Sequence, residues 1–530
     1  MSKFVVHKEN YLASIKYDLP AGLVVFLVAI PLCLGIALAS GAPFFSGIIA
    51  GIIGGLVVPL ISQSQLSVSG PAAGLTAIVF SGILKIGVFE GFLVAVFIGG
   101  LIQIGLGFFK AGFVAYYIPS SVIKGMLAAI GIILILKELP HAVGYDHEIF
   151  SLAFHDSGHE DTFTALIHAF GHTFGRIEWE ALIVSSICLA ILIIWGNTPL
   201  KKIRWVPAAL VVVIVGVLVN LSFINWFPGL ILQGEHLVTL PKVNTLGDFL
   251  AGFTFPDWSY IFNKDVWIIA FTLGFVASVE SLLTLEAVDK LDPFKRRSPL
   301  DRELIAQGVG NSLAGLVGGI PLTSVIVRSS ANIDSGGRTK LAAIFHGLFL
   351  LLSVIFISRF LNMIPLASLA AILLMVGYKL ARPSLVVAMY RQGWDQFIPF
   401  AVTIVAILLS DLLIGVAIGI LVGLFFVIRS NFHSAVLSIR DGDHYLIKLN
   451  KDVSFLNKPL LLDALESIEE NAYVIIDGSK AQFIDYDIQE VLDEFKEEAK
   501  IKSIQVEFRN IYRYNKEFIE DLKNLPLINT

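Results

Sequence analysis

Charge is the scarce commodity in this chain. Asp, Glu, Lys and Arg make up 15% of its 530 residues, and none of them occurs between Leu19 and Leu84. Ordinary soluble domains carry about 25%. Further uncharged runs cover 92–109, 181–200, 205–234, 341–358, 360–378 and 412–428. A helix needs about 20 mainly apolar residues to cross the hydrocarbon core of a bilayer. Runs of this length and number exclude a soluble fold and indicate a polytopic α-helical membrane protein embedded in a lipid bilayer.

Other absences narrow the class. There are two cysteines, Cys33 and Cys188, both inside apolar runs, so they read as packing residues and not as a disulfide or metal pair. No Walker A sequence is present, which argues against ATP-driven transport. No Ser/His/Asp set or metal motif stands out, so the chain does not read as an enzyme and implies no cofactor. Met1–Asp18 is polar and the first apolar run is long enough to span, so no cleavable signal is evident. Nothing suggests nucleic acid as a partner.

What charge exists is unevenly placed. Residues 435–530 hold 19 acidic and 12 basic side chains, against a net charge of −5 for the whole chain. The acidic tail reads as a separate soluble domain. Within it, 445–449, 473–477 and 503–508 have strand character, while 458–468 and 488–499 pattern as amphipathic helices. That alternation predicts a small α/β domain.

Spans are expected near 19–40, 45–61, 68–84, 91–109, 121–138, 181–197 and 205–222. A second set is expected near 266–288, 303–319, 323–335, 340–358, 362–380, 396–411 and 412–430. This is fourteen spans as seven plus seven, with a transport domain at 19–430 (repeats 19–222 and 266–430), an N-terminal segment at 1–18 and the tail domain at 435–530. With the N-terminus inside, Lys201, Lys202, Arg204, Lys295, Arg296, Arg297, Arg338, Lys340, Arg382 and Arg391 all fall on the cytoplasmic side. The acidic tail then lies there too. One outer loop near 140–180 holds six of the eleven histidines, His141, His147, His155, His159, His168 and His172. It reads as a polar, partly helical loop, although His168 and His172 have the spacing of metal ligands or a pH sensor on one helix face.

Two breaks occupy matching positions in the two sets. Val68-Ser-Gly-Pro-Ala-Ala-Gly74 interrupts the third span, and Gly318-Gly-Ile-Pro-Leu-Thr-Ser324 precedes the tenth. Irregular backbone at membrane depth is tolerated only where protein or a watery cavity satisfies its polar groups. Paired interruptions of this kind point to a central substrate site in secondary transporters. Half-helices starting near Gly70 and Thr323 would aim free N–H groups at one cavity, which suits a small anion. The candidate substrate residues are Ser69, Gly70, Pro71, Ala72, Thr323, Ser324 and Arg328, with the Thr76 hydroxyl nearby. Arg328 either adds positive charge to that site, pairs with Glu280, or snorkels towards the cytoplasm.

Glu280 lies about halfway along an otherwise apolar span. An ionisable group at that depth costs about 2.5–3.5 kcal/mol or more unless it faces a cavity or a partner, so its default reading is functional. Thr284 is one helical turn on and shares its face. A carboxylate with a hydroxyl binds Na⁺ as a coupling ion or carries a proton, and the residues leave both open.

At these positions the chain resembles the sulfate permease family of anion transporters. The carrying pieces are Tyr17-Asp-Leu-Pro-Ala-Gly22, Val68-Ser-Gly-Pro-Ala72, Val279-Glu-Ser-Leu-Leu-Thr284, Gly318-Gly-Ile-Pro321 and Asn332-Ile-Asp-Ser-Gly-Gly-Arg-Thr339. The tail is similar to a STAS domain in Val474-Ile-Ile-Asp-Gly478 and Phe483-Ile-Asp485. The resemblance implies fourteen spans as inverted repeats, a core domain moving against a gate domain, a homodimer and a cytoplasmic STAS domain. It further implies a central anion between the third and tenth spans. Glu280 and Thr284 match positions that help hold Na⁺ in relatives that carry bicarbonate, with Glu where those have Asp.

Three departures stand out. Leu32 follows Pro31 where many relatives have Gln, making the pocket less polar. Arg328 matches a basic position of the animal relatives. Phe483-Ile-Asp-Tyr-Asp487 lacks the Ser or Thr that many STAS domains phosphorylate after the Asp, so the tail reads as a docking module for a cytoplasmic partner and a tuner of the dimer. The expectation is a secondary transporter of sulfate or bicarbonate in the plasma membrane, driven by Na⁺ or H⁺ symport. The alternatives are a dicarboxylate carrier or an uncoupled anion exchanger or channel of the same fold, and, from another class, a membrane-tethered signalling protein.

Overall fold

The computed structural model describes residues 11–113, 119–144, 178–199, 206–226, 230–241, 246–410, 412–432, 435–481 and 483–511. The histidines of the outer loop other than His141 lie outside the described residues. The chain divides into two compact units, 1–420 and 421–530.

Helices occupy the apolar runs of the first unit because a backbone in hydrocarbon must satisfy its own hydrogen bonds. In order they are α1 (Tyr11–Ala39), α2 (Phe44–Leu56), α3 (Val58–Ile61), α4 (Thr76–Ile86), α5 (Phe89–Phe108) and α6 (Ser120–Ala142). Then come α7 (Trp179–Asn197), α8 (Ala208–Trp226), α9 (Leu246–Ala251), α10 (Lys264–Leu291) and α11 (Leu300–Val317). The series continues with α12 (Ile326–Asp334), α13 (Leu341–Leu361), α14 (Leu366–Leu380), α15 (Pro383–Arg391), α16 (Trp394–Leu409) and α17 (Leu412–Phe432). Among the described residues seven helical stretches are long and apolar enough to cross a membrane, and shorter apolar helices include α4, α8, α16 and α17.

Two packing groups are evident. In one, α5 lies against α10 and α11, while α1 lies against α2 and α13. In the other, α6 packs on α14 and α16, and α7 on α8 and α14. Small residues set the closest approaches, as expected where lipid supplies no hydrophobic drive between helices. A Cβ at Gly131 of α6 would stand 2.6 Å from the Gly377 carbonyl of α14, so any larger residue would push the two helices apart.

The two breaks differ from the simple half-helix expectation. Ser69–Pro71 (β1) and Leu322–Ser324 (β2) are short strands paired antiparallel, with Ser69 opposite Ser324, Gly70 opposite Thr323 and Pro71 opposite Leu322. The helices begin later, at Thr76 after a 3₁₀ turn over Ala73–Leu75, and at Ile326. Proline explains the delay: it disfavours helical backbone in the residue before it and donates no hydrogen bond. The ladder runs on to Val325, whose N–H donates to the Val68 carbonyl at 2.9 Å. By antiparallel alternation Gly70 and Thr323 also bond each other, so their N–H groups are occupied.

The second unit is a four-stranded sheet in the order β3 (Val436–Asp441), β4 (His444–Leu449), β5 (Tyr473–Asp477), β6 (Gln505–Arg509). β3 pairs antiparallel with β4, and β4, β5 and β6 run parallel. The crossovers carry α18 (Lys458–Glu466) and α19 (Tyr486–Ile501), and Leu461, Leu465, Ile488, Leu492 and Phe495 pack with Tyr445, Ile447, Val474 and Ile476. Every strand and helix expected in the tail is present. β3, whose residues are nearly all exposed, escaped the pattern because it has no buried face to impose alternation.

Candidate functional site

The strand pair brings the two breaks together, and the charged candidates from the second half reach glycines in the first. Arg328, on the first turn of α12, is completely buried. It neither snorkels nor pairs with Glu280. Its Nη2 lies 3.4 Å from the Cys33 thiol of α1 and 3.4 Å from the Pro71 carbonyl of β1. Its Nε and Nη1 have no hydrogen-bond partner. The guanidinium occupies the place a side chain at Gly70 would need. His346 of α13, also fully buried and with neither ring nitrogen bonded, is within Coulombic reach of Arg328.

Glu280 lies against the other glycine of the first break. A Cβ at Gly74 would stand 2.6 Å from Glu280 Oε1 and 2.7 Å from Oε2. Glu280 Oε2 is buried without a hydrogen-bond partner. Thr284 is buried one turn further along α10. An apolar cleft opens beside this stretch, lined by Val276 and Val279 of α10 with Val122 and Met126 of α6 and Leu413 and Val416 of α17.

The expected hydroxyl donors are engaged within the protein. Ser324 Oγ is 2.5 Å from Ser67 Oγ, Thr323 Oγ1 donates to the Ser324 carbonyl at 3.2 Å, and Thr76 Oγ1 donates to the Ala73 carbonyl at 2.8 Å. Ser69 Oγ accepts from Gln307 Nε2 at 2.7 Å. Ala72 is buried at the junction of β1 and the 3₁₀ turn. The donors left for an anion are the Ser69 hydroxyl, the Ala73 and Gly74 N–H groups that open the 3₁₀ turn, and the first-turn N–H groups of α12; the Thr76 N–H already donates to the Ala73 carbonyl.

Sequence reasoning missed what supports the strand pair. Glu303, Gln307 and Asn311 are four apart on α11 and form one buried polar stripe. Glu303 accepts from Gln307 Nε2 at 2.8 Å and bonds Ser62 Oγ. Asn311 Oδ1 accepts from the Leu322 N–H at 2.7 Å, and its Nδ2 donates to the Leu322 carbonyl at 2.9 Å and to Gln103 Oε1 at 2.6 Å. Leu322 needs this help because the Pro71–Leu322 pair is a non-bonded one of the antiparallel ladder, so the Leu322 N–H and carbonyl point away from β1. The signal was available: three polar residues at fourfold spacing in a span expected at 303–319.

Two of the quoted motifs clasp each other. Asp18 is fully buried and accepts from the N–H groups of Arg338 and Thr339 at 2.7 and 3.0 Å, and from Thr339 Oγ1 at 2.5 Å. The Arg338 guanidinium sits 3.5 Å from the centre of the Tyr17 ring. This ties the start of α1 to the turn before α13.

Residues 15–403 match the model of the sulfate permease family. The chain belongs to that family. YvdB of Bacillus subtilis is 28% identical over 472 residues, which cover 88% of this chain and 84% of that protein. The bicarbonate transporter BicA of Picosynechococcus sp. is 27% identical, with 83% and 75% covered. Sulfate transporter 4.1, chloroplastic, of Arabidopsis thaliana is 24% identical, with 93% and 75% covered. Among solved structures, the transmembrane domain of a cyanobacterial BicA superposes with a TM-score of 0.64 at 22% identity, covering 79% of this chain and 98% of that one. SLC26A9 superposes with a TM-score of 0.75 at 18% identity, covering 97% and 87%. This family member is therefore an integral membrane protein with the transporter fold those structures share, and its named relatives are transporters and not enzymes.

Proposed function

We propose that this protein is a secondary active transporter of a small inorganic anion, sulfate or bicarbonate. The anion would lie at the junction of the two breaks, against the N–H groups that open the 3₁₀ turn before α4 and the first turn of α12 and near Arg328, with the backbone of Ser69, Gly70, Pro71, Ala72, Thr323 and Ser324 shaping the site. The observation carrying this reading is Arg328, a buried guanidinium with Nε and Nη1 lacking acceptors beside that junction. An uncompensated buried cation is strongly disfavoured, and an anion supplies what it lacks. The names of BicA and of Sulfate transporter 4.1 support the same substrate class.

Coupling falls to Glu280 and Thr284. A buried carboxylate oxygen without a donor is satisfied by a proton or by Na⁺, and either brings positive charge in with the anion. Alternating access would move one packing group against the other about this site, within a fourteen-span arrangement of two inverted sevenfold repeats. The domains would be 1–18, 19–430 and a STAS-like unit at 435–530, with both termini cytoplasmic, in the plasma membrane and as a homodimer.

The test is uptake of radiolabelled sulfate and bicarbonate into proteoliposomes under imposed Na⁺ or pH gradients, for wild type and Glu280→Gln. Uptake that follows one gradient, and loses that dependence in the folded variant, supports symport and names the ion. Uptake indifferent to both gradients sinks the coupling and leaves an exchanger or channel.

A further inference from the structure

Asn311 holds backbone, whereas Gln307, one turn earlier on the same stripe of α11, holds side chains. Both N–H groups of its amide are used, with Nε2 lying 2.8 Å from Glu303 Oε1 and 2.7 Å from Ser69 Oγ. All three residues are buried. The amide oxygen of Gln307 is buried without a hydrogen-bond partner.

This chain of contacts has a direction. A carboxylate only accepts hydrogen bonds, so Glu303 admits the NH₂ end of the Gln307 amide and excludes its oxygen. The Ser62 hydroxyl donates to the other carboxylate oxygen and holds Glu303 from that side. Gln307 therefore meets Ser69 with a donor, and Ser69 Oγ accepts. The Ser69 proton must point elsewhere, and among the described residues it finds no acceptor. An unrestrained hydroxyl offers a lone pair or a proton by turns; this one is committed to donating.

The helix that carries the stripe has little room to roll. A Cβ at Gly308 would stand 2.6 Å from the Gly100 carbonyl of α5, and one at Gly315 would stand 2.6 Å from the Phe97 nitrogen. Glu303 is anchored to Ser62 one turn before Gln307, and Asn311 to Leu322 one turn after it. Side chains held in this way have little rotational freedom left to lose when a ligand arrives.

We propose that Gln307 is a positioning residue for anion binding: oriented by Glu303, it holds Ser69 so that the hydroxyl donates to the transported oxyanion. The proposal rests on the anion-transport reading, and it gives the Glu303–Gln307–Ser69 chain a role beyond bracing the strand pair. The site then combines the neutral donor of Ser69 with the guanidinium of Arg328, which is seated on the next residue, Gly70. A hydrogen bond to an ionised acceptor is roughly twice as strong as one between neutral groups, so the direction of one buried hydroxyl matters to affinity.

The experiment measures uptake of radiolabelled sulfate and bicarbonate into proteoliposomes for wild type, Gln307→Met, Ser69→Ala and the double variant, each checked by thermal unfolding in detergent. Each single change is expected to raise KM about tenfold with little change in maximal rate, as for loss of one hydrogen bond to an ion. The double variant should match Ser69→Ala, because Gln307 acts through that hydroxyl. A residue that only braced the fold would add its full effect to that of Ser69→Ala. Should Gln307→Met fail to fold, Gln307→Leu takes its place with the same expectation. An unchanged KM in either folded single variant, or additive effects in the double one, overturns the positioning role while leaving anion transport intact. Absence of uptake of either anion by wild type overturns the transport reading and this one with it.

Discussion

Gly70 is a glycine because Arg328 fills the space its side chain would take. A Cβ there would overlap the guanidinium Nη1, and Gly74 stands in the same relation to the Glu280 carboxylate. The two charged residues of the second half are thus seated on the two glycines that frame the first break. Buried charge and backbone break are one construction.

Gly70→Ala should displace Arg328, destabilise the protein by about 1–3 kcal/mol and lower anion uptake at least about tenfold. Gly105→Ala is the control, since nothing lies within 4 Å of a Cβ there. Uptake assays with thermal unfolding of both variants check this, and a Gly70→Ala variant that transports normally would refute it.

Gly74→Ala should reproduce the phenotype of Glu280→Gln. Its methyl would stand 2.6 Å from Glu280 Oε1, so the carboxylate must move. The expected outcome is anion uptake that no longer responds to the driving cation gradient, measured as the ratio of rates with and without the gradient.

Asn311→Leu removes both hydrogen bonds to the Leu322 backbone in a buried site. Leaving those groups unpaired should cost about 2–3 kcal/mol. It should also loosen β2 against β1, which hydrogen exchange at Leu322–Ser324 would detect as lost protection.

Asp18→Ala leaves two backbone N–H groups and the Thr339 hydroxyl without their shared acceptor. A loss of about 3 kcal/mol is expected, seen as a lowered unfolding temperature. Thr339→Ser, which keeps the hydroxyl, should fall close to wild type.

In the second unit, hydrogen bonds from the Ser479 side chain and backbone N–H hold the Asp477 carboxyl below the usual carboxylate range. A depressed folded pKa contributes stability that is present above the unfolded value, about 3.9, and lost as pH falls through the folded one. Exchange protection at Tyr473–Ser479 should therefore decline as pH drops below about 4, and Asp477→Asn should remove that dependence.

Legibility in the sequence tracked how local the cause was. The helices fall close to the expected spans because long apolar runs allow little else in a bilayer. The alternation of strands and helices in 435–530 likewise follows from period and length. α1 begins at Tyr11, before the apolar run expected to span from 19, and carries Asp18, which is buried where it accepts from a turn more than three hundred positions away.

At the breaks, the residue types announced irregular backbone, and their hydrogen bonds are distributed differently from the half-helix expectation. Pro71 and Pro321 announced irregular backbone, but nothing in their order says that β1 and β2 would pair with each other. The hydroxyls of Thr76, Thr323 and Ser324 looked like free donors, and only the folded chain shows them bonded within it, while Ser69 accepts from Gln307.

The sequence by itself determined that this chain spans a membrane, where its backbone breaks, and which charges it places at depth. Those follow from transfer free energy and backbone sterics, which act residue by residue. Only the tertiary structure decided that Arg328 rests on Gly70, that Glu280 rests on Gly74, and that Gln307 and Asn311 hold the strand pair. Such contacts join residues hundreds of positions apart, and no local periodicity encodes which buried polar group will meet which.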